Sequence, residues 1–152
     1  MTDARWIDVE DDVAGAARHF HNAGRLFDAG GFDDDDLDGY RGRMALQPAM
    51  QATYTSLEAA LTKILDILGE DAPTGPSSHT DLLRRAAKSL DLRDRKRPAI
   101  LPSTLVGDVD ETRRFRHRAT WLQALGLNGY LGCSSFRIGD RPLRIDAFVF
   151  RF

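Results

Sequence analysis

Residues 54–68 read Tyr-Thr-Ser-Leu-Glu-Ala-Ala-Leu-Thr-Lys-Ile-Leu-Asp-Ile-Leu, and their spacing decides the fold class. Tyr54, Leu57, Leu61, Ile64 and Leu68 recur at steps of three and four, which lines them up on one side of a helix. Leu37, Tyr40, Met44 and Met50 carry the same stripe upstream, so the pattern predicts a single long helix of roughly 30 residues. Pro48 removes an amide donor and crowds the preceding turn, and a kink or short break is expected there. Gly69 is expected to end the helix.

Working outward from that helix, a second stripe lies upstream: Trp6, Val9, Val13, Ala16, Phe20, Ala23 and Phe27 define a first helix. Gly30 and Gly31 end it, and the acidic run Asp33 to Asp36 forms a solvated turn that caps the next helix. Downstream, Asp71 to Ser78 contains two prolines, a glycine and two serines and reads as a loop. A third helix is expected to start near Ser78 to Thr80 and to carry Leu82, Leu83, Ala86, Ala87 and Leu90. Arg93 to Arg97 leads into an extended Pro98 to Pro102. Ser103 or Thr104 then caps a fourth helix, whose core face is Leu105, Val109, Thr112, Phe115, Ala119 and Leu122. Four amphipathic helices joined by short loops make an all-α, antiparallel helical bundle. Beyond about Gly126 glycines and serines accumulate, and Leu143 to Phe152 fits a strand or a helix equally well. Residues 1–125 are therefore expected to form the helical domain and 126–152 an irregular C-terminal tail.

At 152 residues the chain is sized for one domain, and its charged fraction of 29% and hydrophobic fraction of 42% are ordinary for a soluble protein. No stretch approaches the roughly 18 apolar residues of a membrane span. The acidic stretch Met1 to Asp12 has neither the basic start nor the apolar run of a secretory signal, and Cys133 is the only cysteine, so a cytoplasmic location is expected. Charge is unevenly spread: residues 1–40 hold eleven acids against three bases, and residues 84–118 eleven bases against five acids. The basic half suits a phosphate backbone or, alternatively, pairing with the acidic first helix.

Phosphate loops, dinucleotide fingerprints, zinc-protease motifs and serine elbows are all missing from the sequence. His19 and His21 are two apart on a helix and face different ways, a poor arrangement for a metal. What remains is Arg113-Arg114-Phe115-Arg116-His117-Arg118, a basic cluster with one group that titrates near neutrality. Cleaving RNA by attack of a 2′-hydroxyl requires a base, an acid and a cation on the phosphate, and histidine with arginine supplies these without a metal ion or cofactor. A solvated charged face with Phe115 in the core is the alternative reading.

At this cluster the sequence resembles the HepT-like branch of the HEPN ribonuclease toxins. That family carries a run close to Arg-Arg-Phe-Arg-His, in the pattern Arg, a polar residue, three residues, His, one residue, Tyr. Met44-Ala45-Leu46 through Tyr54-Thr55-Ser56-Leu57-Glu58 looks like its second helix, His79-Thr80-Asp81-Leu82-Leu83 like the start of its third, and Arg97-Pro98-Ala99-Ile100 like its approach to the last long helix. The likeness spans about residues 5 to 118. It implies a HEPN-type bundle that dimerises with the basic motif in a cleft between subunits. It implies a toxin of a two-gene pair that cuts RNA without metal, opposed by a minimal nucleotidyltransferase that adenylylates the motif tyrosine. Arg116 takes the place of the catalytic arginine and His117 that of the polar residue after it, with Arg113, Arg114 and Arg118 expected to hold RNA. Trp121 stands where the catalytic histidine is expected and Gln123 where the tyrosine is expected. Such a departure fits a recombined, frame-shifted or degenerate C terminus, and it predicts a weakened ribonuclease or a non-catalytic module that dimerises and binds RNA or the nucleotidyltransferase.

Overall fold

The computed structural model describes the backbone of residues 4–31 and 35–124 and the side chains of 4–31 and 35–115; the expected tail at 126–152 lies outside the described residues. Four helices and one small hairpin follow in the order α1 (Arg5–Ala29), α2 (Leu37–Ile67), α3 (Ser78–Ala87), β1 (Leu90–Leu92), β2 (Arg95–Arg97) and α4 (Ser103–Ala124). The architecture is the all-α bundle that the periodicity predicts.

Local chemistry sets the helix ends. Gly30 follows α1 with a positive φ of 69°, which favours glycine, and its N–H reaches the Phe27 carbonyl at 3.1 Å. Asp36 caps α2 by accepting from the Gly39 N–H at 2.8 Å, so the last residue of the acidic run satisfies one of the helix's orphan donors. At the other end Gly69, with φ of 70°, donates to the Asp66 carbonyl at 2.9 Å and Glu70 to the Leu65 carbonyl at 2.8 Å, the paired bonds of a Schellman cap. No break occurs at Pro48: α2 runs through it as one 31-residue helix. Pro48 and Met44 are both exposed, so water can reach the carbonyl that the missing amide would have met.

α1 and α2 form the most extensive contact, as their long stripes predict. The main core joins Val9 and Ala16 of α1 to Tyr54, Leu57, Leu61, Ile64 and Leu65 of α2, closed over by Leu82, Leu83 and Ala86 of α3 and Leu105 and Val109 of α4. Thr112 also lies on the core face of α4, and its hydroxyl donates to the Asp108 carbonyl at 2.9 Å, which removes the cost of burying it. A second, smaller cluster of Ala23, Leu46, Met50 and Phe115 occupies the other end of the bundle.

Three expectations are corrected. Leu90 does not belong to the third helix, which ends at Ala87; it opens β1 instead. Phe27, Leu37, Tyr40, Met44 and Leu68 continue the apolar stripes but are exposed, and among the described residues the buried core along α2 extends from Leu46 to Leu65 and no further. The segment 90–97 is an antiparallel hairpin, with Leu90 opposite Arg97 and Leu92 opposite Arg95. Its two-residue turn, Arg93 and Asp94, is made without positive φ.

Candidate nucleic-acid interface

The whole basic run lies on α4. Phe115 points inward, packed among Ala23, Leu46 and Met50 at 7% exposure, and so fixes the rotation of the helix about its axis. Two of the expected RNA-binding arginines are described. Arg113 donates from Nε to Asp110 at 2.7 Å, and Arg114 reaches the other oxygen of the same carboxylate at 2.9 Å and Glu111 at 3.8 Å. Both guanidinium charges are thus met by carboxylates one turn back on their own helix. Such i,i+3 and i,i+4 spacing is readable in the sequence. The side chains of Arg116, His117 and Arg118 lie outside the described residues, as do those of Trp121 and Gln123; the backbone at all five positions is helical, since α4 continues to Ala124. The helical register puts positions 113 and 117, and positions 117 and 121, one turn apart.

Pairing of the basic half with the acidic first helix does not occur among the described residues. The acid on α1 that is engaged is Asp12, bound to Lys63 of α2 at 2.8 Å, which raises the Lys63 pKa. Several bases between 84 and 114 have partners elsewhere: Arg84 pairs with Asp81 at 3.0 Å, Lys96 with Asp91 at 3.4 Å, and Arg97 with the more distant Glu70 at the end of α2.

The Arg97 contact organises one end of the bundle. Its guanidinium grips both oxygens of Glu70, with Nη2 to Oε2 at 3.0 Å, and also donates to the carbonyls of Lys88 at 2.7 Å, Arg85 at 3.2 Å and Pro98 at 3.2 Å. Side-chain exposures of 9% and 13% make this a nearly buried, bidentate pair. Hydrogen bonding from Arg97 holds the Glu70 carboxyl below its ordinary 4.5, helped by the charges of Arg97, Arg85 and Arg95 and opposed by burial. A second cross-link joins α3 to α2: His79 Nδ1 and Glu58 Oε1 share a hydrogen bond, and the His79 ring meets the Tyr54 ring edge-on at 6.2 Å between centroids. Glu58 and His79 lie 21 residues apart in the chain, and the fold brings them together. Among the described residues, no three His, Cys, Asp or Glu side chains are grouped to hold a metal.

A family model described as HepT-like protein matches residues 45–125, more than half of the chain. The chain belongs to the HepT-like family. No curated protein and no solved structure matches it. The family match runs through Trp121 and Gln123, seven residues past the point where the likeness was expected to stop, and starts at 45 rather than near residue 5. As a HepT-like protein it carries the HEPN-type bundle, with most of α2 and all of α3 and α4 inside the matched region and, among the described residues, no helix long and apolar enough to cross a membrane.

Proposed function

We propose that this HepT-like protein is a toxin-type ribonuclease of a toxin–antitoxin pair, weakened because Trp121 replaces the motif histidine. The observation that carries the reading is the continuity of α4 through residue 124 inside the family match. Positions 116, 117, 121 and 123 all lie on one unbroken helix, so the motif's backbone frame is kept and the deficit is one of chemistry. An indole neither accepts nor delivers a proton at neutral pH, and loss of one acid–base group typically costs about 10²- to 10⁴-fold in rate. Arg116 and His117 are the residues left to hold phosphate and move a proton, with Arg113, Arg114 and Arg118 as RNA contacts, in a cleft between the subunits of a homodimer in the cytoplasm. Gln123 cannot accept the adenylyl group that a minimal nucleotidyltransferase would place on tyrosine, so the antitoxin would act here by binding.

A second reading, a non-catalytic HEPN module that dimerises and binds RNA or the nucleotidyltransferase, is favoured by the carboxylate pairing of Arg113 and Arg114. The full chain incubated with single-stranded RNA, with and without chelator, separates the two. The ribonuclease reading expects slow, chelator-resistant cleavage that His117→Ala abolishes and Trp121→His with Gln123→Tyr accelerates. Absence of cleavage in both the natural chain and the double variant would leave the binding module.

A further inference from the structure

Uncompensated positive charge among the described residues gathers at the hairpin end of the bundle. Lys88 and Arg93 are exposed and pair with no carboxylate among the described residues. Lys96 makes only a 3.4 Å contact to Asp91 in which the two side chains are 77% and 76% exposed, a pair of small energetic weight. Arg85 and Arg95 donate to backbone carbonyls, those of Asp71 and Gly69, and so keep their full charge. Asp71, Asp91 and Asp94 are the acids that stand against this group. The lowered pKa of Glu70, to which Arg85 and Arg95 contribute after Arg97, registers the same positive field from inside.

The hairpin is held in place. Arg97 clamps β2 to the end of α2 and to the last carbonyls of α3, and the N–H groups of Ile100 and Leu101 both bind the Ala86 carbonyl, at 2.8 and 3.0 Å, just before α4 begins. Its cations are therefore presented at a fixed position at the N-terminal end of α4, and ordering them costs little on binding.

We propose that Arg93 and Lys96 of the β1–β2 hairpin, together with Lys88 at the end of α3 just before it, form a phosphate-contacting arm that holds the RNA backbone beside α4. This rests on the RNA-binding reading above and extends it to a second contact region. From Ser103 to Arg113 the helix rises about 15 Å, a distance that a few nucleotides of RNA can span. A protein partner fits the surface less well. Protein interfaces centre on apolar and aromatic side chains and are depleted in lysine, whereas the exposed large apolar residue of the hairpin is Leu92 alone among the described residues.

The test uses the full chain, a fluorescent single-stranded RNA oligonucleotide and a salt series. All three side chains are exposed, so Lys88→Gln, Arg93→Gln and Lys96→Gln combined should leave the melting temperature in place. Each single-strand phosphate contact contributes about 0.7 to the log–log salt slope, so the triple variant is expected to lower the slope by about 2 and to weaken binding roughly ten- to a hundredfold at about 0.1 M salt. In the natural chain, RNA should also protect Lys88 and Lys96 from acetylation, a readout that needs no variant. If the natural chain binds RNA and the triple variant binds it with the same affinity and slope, the arm is wrong while the RNA reading stands. If the natural chain binds no RNA, both are overturned.

Discussion

Arg97 donates to Glu70 and to the carbonyls of Arg85, Lys88 and Pro98, and thereby ties the end of α2, the end of α3 and the hairpin to one guanidinium. The carbonyls at the end of α3 carry partial negative charge, which favours a cation there. Because the folded state lowers the Glu70 pKa, the pair's stabilisation is fully present at neutral pH and is lost as pH falls below the ordinary value of 4.5 and through the folded one. Glu70→Gln should therefore destabilise the protein at neutral pH by roughly 3 kcal/mol, and its urea midpoint should fall less on acidification than that of the natural chain. Parallel acid limbs in the two proteins would remove Glu70 from the account. In the core, Leu61 is fully buried between α1, α3 and α4, where little can relax into a cavity. Leu61→Ala should cost about 2 to 5 kcal/mol by chemical denaturation, and a change under about half a unit would mean that this face is not the core.

At the scale of elements, α2 depends on its two caps. Gly69 sits at φ of 70°, and a Cβ there would meet the Arg95 guanidinium at 3.7 Å, an ordinary contact. The penalty of Gly69→Ala is thus one of backbone conformation, about 1 to 2 kcal/mol, and a matching drop in thermal midpoint checks it; Gly69→Asn, which tolerates the left-handed region, should lose less. The hairpin has the opposite character. Its strands are three residues each, too short to stand alone, and it exists because Arg97 and the two amides on the Ala86 carbonyl hold it against the bundle.

Over the described residues, the acidic and basic halves of the chain take their partners separately. Acidic α1 is engaged through Lys63 of α2, while the bases on α3, the hairpin and α4 are matched locally or left free. On α4 the decisive group is Asp110, which binds Arg113 and Arg114 together. Asp110→Asn releases Arg113 and leaves Arg114 only its longer contact to Glu111, and the expected result is tighter RNA binding with a salt slope steeper by about 0.7 for each arginine that gains a phosphate. The cost in stability stays within about 1 kcal/mol, as for other partly exposed pairs on one helix. Unchanged affinity and slope in a fluorescence titration would show that this stretch of α4 does not face RNA.

Much of the fold was legible in the chain because it rests on local rules. The stripe from Tyr54 to Ile64, the glycines at 30 and 69 and the aspartate at 36 act within a turn or two of themselves, and each sits where that reading places it, whereas Leu68 is exposed at the end of α2 and Ser103, expected with Thr104 as a cap, is already the first residue of α4. The basic run on α4 was legible too, and so in principle was its pairing with Asp110. Three features were decided by tertiary structure. The hairpin carries no glycine or asparagine turn signal and follows from contacts made by Arg97. Glu70 with Arg97, and Glu58 with His79, lie 27 and 21 residues apart, distances at which spacing along the chain carries no pairing information. Leu37, Tyr40 and Met44 share the α2 stripe with Leu57 and Leu61, yet only the second group is buried. Periodicity reports which side of a helix can be buried; how far along it burial extends depends on the reach of the helices that pack against it.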